Sequence, residues 1–188
     1  MIDRDDIQLI EDYLSGDENA FGLIISRYLK LVYNFVHRFS GNSDDTPDIV
    51  QEVFIKVWKN LKKFDLDKNF KTWLFAIARN TAIDWLRKKK NILFSELDLH
   101  IEENEKSFEE SVADTEPLPD EIFQRKELKK ELENALQKIK PDFREIILLH
   151  YTENLTFEEI SEMVGRPLNT TKSHHHRALH SLRKILLN

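Results

Sequence analysis

The chain has 188 residues, 40% hydrophobic and 33% charged, with a formal net charge of -6. That length allows one domain or two small ones, and low counts of Gly (4) and Pro (5) favour long helices over hairpins. The absence of Cys rules out disulfides and thiolate metal sites, no run of about 18 apolar residues marks a membrane span, and the acidic start MIDRDDIQLIEDYL is unlike a signal peptide. We therefore expect a cytoplasmic protein.

In chain order the apolar spacing predicts only helices. Ile7, Ile10, Tyr13 and Leu14 mark one face, and Phe21, Ile24, Ile25, Tyr28, Leu31, Val32 and Phe35 that of a longer second helix. Gly41, Asn42 and Ser43 break it. A third helix starts between Asp44 and Pro47 and turns Ile49, Val50, Val53, Phe54, Val57 and Trp58 inward. After the loop FDLDKN, a fourth runs from about Phe70 to Lys89, with Trp73, Leu74, Ile77, Ala78, Ile83 and Leu86. Residues 91–120 lose the pattern, are rich in Glu, Asp and Ser, and carry Pro117 and Pro119. They read as a mostly extended linker, able to span up to about 100 Å at ~3.3 Å per residue. Leu128, Leu132, Leu136 and Ile139 then form one helical face, and Pro141 opens another with Phe143, Ile146, Ile147 and Tyr151.

Charge is unevenly spread. Residues 1–94 hold 15 Lys+Arg against 14 Asp+Glu, residues 95–121 hold 1 against 11, and residues 122–188 hold 12 against 9. An acidic strap thus joins two near-neutral or basic halves, and the negative total does not argue against nucleic acid.

The last two helices form a helix-turn-helix pattern. Thr156 and Glu159 make a capping box at the start of TFEEISEMVGRP. Ile160, Met163 and Val164 face the core, and the small Ser161 allows close helix approach. Gly165 can take positive φ at the turn, and Pro167 prevents continuation. Asn169 or Thr170 is the expected cap of the final helix, which carries Lys172, Arg177, Arg183 and Lys184 and no acid. Ala178, Leu179, Leu182, Ile185 and Leu186 form its buried face; Ser173, His176, Arg177, His180 and Lys184 form the opposite stripe. A cation-only helix behind such a turn is suited to a DNA major groove. His174, His175 and His176 are adjacent and point in different directions, and no third ligand of the right type is near to complete a metal site from His176 and His180. His176 and His180 are expected to face DNA or water, and His175 the core edge.

Three strings, DIVQEVFIKVW (48–58), FKTWLFAIARNTAIDWLRKKK (70–90) and GRPLNTTKSHHHRALHSLRK (165–184), together resemble bacterial sigma factors of the extracytoplasmic-function group of the sigma-70 family. The resemblance implies an all-α fold of two small helical domains joined by an acidic extended linker: region 2 over 1–92, the linker over 93–119, and region 4, with the helix-turn-helix, over 120–188. It also implies a promoter-specificity subunit with no cofactor, no metal and no enzymatic activity. Its partners would be core RNA polymerase, promoter DNA and an anti-sigma factor.

By resemblance, Asp48, Gln51, Glu52 and Phe54 are the candidates for gripping the polymerase, Phe54 and its apolar neighbours also reading as core. Phe64, Ile77, Asn80 and Asp84 match a pocket for a flipped base of the -10 element, with Arg87 and Lys88 on the phosphates. Lys56, Lys59, Lys62, Lys63, Lys71, Lys89 and Lys90 are further candidates for the backbone. Thr170, Lys172, Ser173, His176 and Arg177 match the contacts to the -35 element. His174, His175 and Asn169 depart from the residues frequent in the family. The linker has two readings, a nucleic-acid mimic in a basic channel or a solvated tether. Two rivals remain: a duplex-binding helix-turn-helix regulator, which leaves the strings at 48–58 and 70–90 without a role, and a protein-binding helical adaptor, which would show no salt-dependent DNA affinity in any complex.

Overall fold

The computed structural model describes residues 5–41, 44–96 and 119–187, and every regular element among them is helical. Asn42, Ser43 and the central linker residues 97–118 lie outside the described residues. The chain divides into two compact units, one built on the first four α-helices and the other on most of the remainder.

In the first unit, α1 is Asp6–Leu14, α2 Glu18–Ser40, α3 Thr46–Asn60 and α4 Phe70–Glu96, with one 3₁₀ turn, Leu61–Lys63, after α3. Local signals start and stop these helices. Asp5 accepts from the Gln8 amide at 2.7 Å and Asp17 from the Asn19 amide at 3.1 Å, each capping a helix start. Gly41 ends α2 with φ 67°, the left-handed conformation that glycine reaches without steric cost. Pro47 opens α3, where a missing N–H is harmless, and the Asn69 side chain accepts from the Thr72 amide at 3.1 Å to start α4.

The core of this unit lies where α2 packs on α1, α3 and α4. Ile24, Val32, Phe35, Ile49, Val53, Leu61, Leu74 and Phe75 are all fully or almost fully buried. Phe35 and Phe75 meet edge-to-face at 5.4 Å. Several expectations change here. Leu9 and Ile10 are the buried residues of α1, and Leu14 is exposed. Trp58 is 52% exposed instead of facing inward, because the buried stripe of α3 runs through Val50, Val53, Phe54 and Val57 and leaves Trp58 on the opposite side. The fourth helix continues past Lys89 to Glu96, so residues 91–96 are helical and not extended linker.

In the second unit, α5 is Pro119–Lys138, α6 Pro141–Ile147, α7 Phe157–Val164 and α8 Leu168–Leu186, with a π turn at Leu148–Thr152 following α6. Helix α8 packs on α5 and α6. Ile146, Leu148, Leu149, Ile160 and Ala178 form the core. The Arg144 side chain is buried and donates to the carbonyls of Leu136 and Gln137, both at 2.8 Å, satisfying groups left open at the end of α5. Burial lowers the pKa of this guanidinium. Leu128 and Leu132 are exposed and not part of a buried face; only Leu136 and Ile139 of that row are covered. Tyr151 is exposed as well, because the π turn shifts its register away from that of Ile146 and Ile147.

Candidate nucleic-acid and polymerase interfaces

Helix α3 carries the first candidate surface. Asp48 and Gln51 are exposed and Glu52 half-buried, all on the side away from the core. Glu52 accepts from Lys56 at 2.9 Å, one helical turn on. Phe54 is 8% exposed and packs inward, so its side chain supports the helix and is not part of the outer stripe. Ile55 and Trp58, at 43% and 52% exposure, continue the stripe of Asp48 and Gln51 at three- and four-residue spacing. Sequence reasoning missed them as surface residues. Their signal was an apolar pair out of phase with Val50, Val53 and Val57.

The 3₁₀ turn, the following loop and α4 carry the second. Phe64 is 8% exposed, with its ring 5.5 Å from Phe70 and 5.0 Å from Trp73, while Phe70 also meets Tyr28 edge-to-face at 5.6 Å. Tyr28 in turn donates its hydroxyl proton to Asp6, and burial together with that carboxylate pushes its pKa well up. The loop is therefore anchored on an aromatic cluster. Ile77 is half-buried, and Asn80 and Asp84 are exposed. These three, followed by the exposed Arg87 and Lys88, lie along one face of α4 at spacings of three and four.

The neighbouring cations divide by what they touch. Lys56 bonds the Thr81 hydroxyl at 3.1 Å as well as Glu52, tying α3 to α4. Lys89 reaches Asp45 at 2.7 Å, and Lys71 sits 5.7 Å over the Phe75 ring. Lys59, Lys62 and Lys63 are exposed. The Lys90 side chain lies outside the described residues.

The third surface is α8. The capping box forms: the Glu159 amide donates to the Thr156 hydroxyl at 3.2 Å, and the Thr156 amide donates to the Glu159 carboxylate at 2.8 Å. Gly165 takes φ 65°, and the Arg166 amide closes the turn on the Ser161 carbonyl at 3.0 Å. The final helix begins at Leu168, directly after Pro167, and no side chain caps it. Asn169 and Thr170 are thus inside the first turn and are not its caps. Proline offers no side-chain acceptor at the cap, and the first backbone bond of the helix runs from the Thr171 amide to the Pro167 carbonyl at 3.0 Å.

Of the predicted contacts on α8, Lys172, Ser173, His176 and Arg177 are exposed and Thr170 is half-buried. Thr171 is fully buried between them. Leu179 and Leu186 are exposed, so the covered face is narrower than the spacing of leucines suggests, and centres on Thr171, His175, Ala178 and Leu182. Lys172 lies 3.9 Å from Glu158, an exposed pairing that binding to a phosphate can displace at small cost.

The three histidines have separate surroundings. His174 packs edge-on to Phe143 at 5.3 Å, and its Nδ1 lies 3.2 Å from Arg166, which also bonds Asp142 at 2.8 Å. His175 is buried and His176 exposed. Among the described residues no group of His, Asp or Glu is arranged to hold a metal ion.

Residues 24–92 match the model of Sigma-70 region 2, and residues 135–184 that of Sigma-70, region 4. The chain is 33% identical over 177 residues to the ECF RNA polymerase sigma factor SigW of Bacillus subtilis, with 94% of both chains covered. It is 34% identical over 172 residues to the ECF RNA polymerase sigma-E factor of Escherichia coli K12, covering 90% of this chain and 88% of that one. The fold is similar to the sigma factor RpoE of Bartonella quintana, solved with the anti-sigma factor NepR, at a TM-score of 0.71 and 25% identity over 88% of this chain and 96% of that one. CnrH, solved with the cytosolic domain of CnrY, shares the fold at a TM-score of 0.68. The chain belongs to the extracytoplasmic-function group of the sigma-70 family, the RNA polymerase sigma factors that direct promoter-specific transcription initiation.

Proposed function

We propose that the three surfaces divide the work of a sigma factor between them. The outer stripe of α3, Asp48, Gln51 and Glu52 continued by Ile55 and Trp58, docks on core polymerase. Carboxylates beside an exposed tryptophan suit a basic partner that also offers apolar surface. The loop from Phe64 and the face of α4 carrying Ile77, Asn80 and Asp84 take up the -10 element, with Arg87 and Lys88 following the backbone. Phe64 serves this by holding the loop on its aromatic cluster. Helix α8 reads the -35 duplex through Thr170, Lys172, Ser173, His176 and Arg177. The domain division is region 2 over 1–92 and region 4 over 120–188, with the acidic linker between them.

The observation that carries this reading is α8. It is cation-bearing, holds no acid, and follows a turn whose cap, positive-φ glycine and closing hydrogen bond all form. No described helix is long and apolar enough to cross a membrane; work with polymerase in the cytoplasm, without catalysis of its own, is supported by the likeness to sigma factors. An anti-sigma factor is the further partner, by analogy with the Bartonella protein's complex with NepR.

Run-off transcription with core polymerase and genomic fragments tests the whole reading. Promoter-specific transcripts are expected only when the purified chain is added. Folded, inhibitor-free protein that yields none sinks it.

A further inference from the structure

Buried beneath the stripe that would face DNA is His175, and its surroundings are unusual for a titratable group. It is 8% exposed. Its Nε2 lies 3.1 Å from the Tyr151 hydroxyl. The rings of Phe157, His150 and Tyr151 surround it at 4.9, 5.4 and 5.6 Å. His150 stacks on Phe157 at 4.4 Å and its Nδ1 is 2.9 Å from the Leu155 carbonyl, which can only accept, so that nitrogen carries the proton. The box therefore joins α8 to the π turn and to the first residue of α7.

We propose that His175 is a positioning residue for duplex recognition: as a neutral imidazole it seats α8 in this box, and acid loosens that seat and weakens reading of the -35 element. The inference rests on the reading of α8 as the -35 helix. His175 lies between Ser173 and the pair His176 and Arg177, so its seat fixes the helical rotation that presents them.

The electrostatics favour the neutral form from every side. Burial opposes a charge on His175 most strongly, and His150 on the π turn and His176 on α8 oppose it further, so its pKa is lowered. The carboxylates of the packed elements are directed elsewhere. Glu158 faces Lys172 and Glu159 closes the cap at Thr156. Glu153 accepts from the Thr152 hydroxyl, and Glu145 lies 3.7 Å from Arg166. A group whose folded pKa lies below its unfolded value stabilises fully above the unfolded value, about 6.5 for histidine, and loses that stabilisation as the pH falls below it.

The test compares holoenzyme binding to two promoter fragments, one with an intact and one with a scrambled -35 element, at about pH 7.5 and about pH 5.8. His175→Gln retains His176 and His180, so the difference between this variant and the wild type in how the ratio of the two affinities changes with pH isolates His175. For the wild type the ratio should fall on acidification, by up to about fivefold for a group whose unfolded value is near 6.5. His175→Gln keeps a neutral partner for Tyr151, and its ratio should fall clearly less on acidification than that of the wild type. A wild-type ratio that does not change with pH, or a His175→Gln ratio that falls as the wild type does, overturns the proposal. A ratio near unity for the wild type at the higher pH overturns the reading of α8 as the -35 helix, and this inference with it. Should His175→Gln fail to fold, the histidine resonances of the full wild-type chain decide: a His175 signal titrating at or above about 6.5 overturns the proposal.

Discussion

Phe64 and Asn80 are both assigned to the -10 surface, yet their environments separate what each can contribute. Phe64 is 8% exposed and wedged against Phe70 and Trp73, whereas Asn80 is exposed on α4. Truncating a buried aromatic ring costs about 3 kcal/mol or more, while an exposed polar truncation costs less than about 0.5 kcal/mol. Phe64→Ala should therefore lower the thermal unfolding midpoint, and Asn80→Ala should leave it in place. Both should reduce permanganate reactivity of -10 thymines in the polymerase complex. An unchanged midpoint for Phe64→Ala would mean that the ring does not anchor the loop. The sequence marked both residues through family resemblance, and only packing tells an anchoring side chain from one available to a base. The same holds for the histidine run, where three identical neighbours have three different surroundings: Phe143 and Arg166 for His174, the aromatic box for His175, solvent for His176.

Among the elements, the helix-turn-helix was the most legible, because its signals are local. Thr156, Glu159 and Gly165 act within four residues of the groups they satisfy, so their roles can be read without knowing the rest of the fold. Gly165 at φ 65° has open space where a Cβ would go. Gly165→Ala should thus cost only the backbone strain of a left-handed non-glycine residue, about 1 kcal/mol. Chemical denaturation would show this as a lower midpoint with an unchanged slope, and no loss at all would argue against the positive φ. Helix ends and helix faces were less legible. Helix α4 runs on to Glu96 past the run Arg87 to Asn91, and the consecutive Ile92, Leu93 and Phe94 carry no three-to-four spacing that would flag a helix. Leu128, Leu132, Leu179 and Leu186 have the right spacing for a core and are exposed, because a helix buries only the part of its apolar stripe that a neighbour covers.

Across the whole molecule, the surfaces proposed for polymerase docking and for -35 reading fall on separate units, α3 in the first and α8 in the second. Loss of one should leave the other in place. Trp58→Ala removes an exposed ring from the α3 stripe, and is expected to weaken competition for core polymerase by about tenfold, an ordinary effect for an aromatic contact residue. Its unfolding midpoint should stay at that of wild type, as should -35 preference in the holoenzyme that still forms. Full competition by this variant would remove Trp58 from the docking surface.

The sequence by itself determined that the chain is helical, that its two halves are separated by an acidic stretch, that a helix-turn-helix lies at the C-terminus, and which family it resembles. These follow from periodicity, charge and caps, which act over a few residues along one chain. The tertiary structure alone decided that Trp58 and Ile55 are outside, that Phe64 is a buried anchor, that Lys56 and Lys89 are tied to neighbouring elements, and that His175 is enclosed by Tyr151, His150 and Phe157. Each of these depends on which helix comes to lie against which. That is fixed by contacts between residues as far as 44 positions apart, as for Lys89 with Asp45, and no local pattern encodes it.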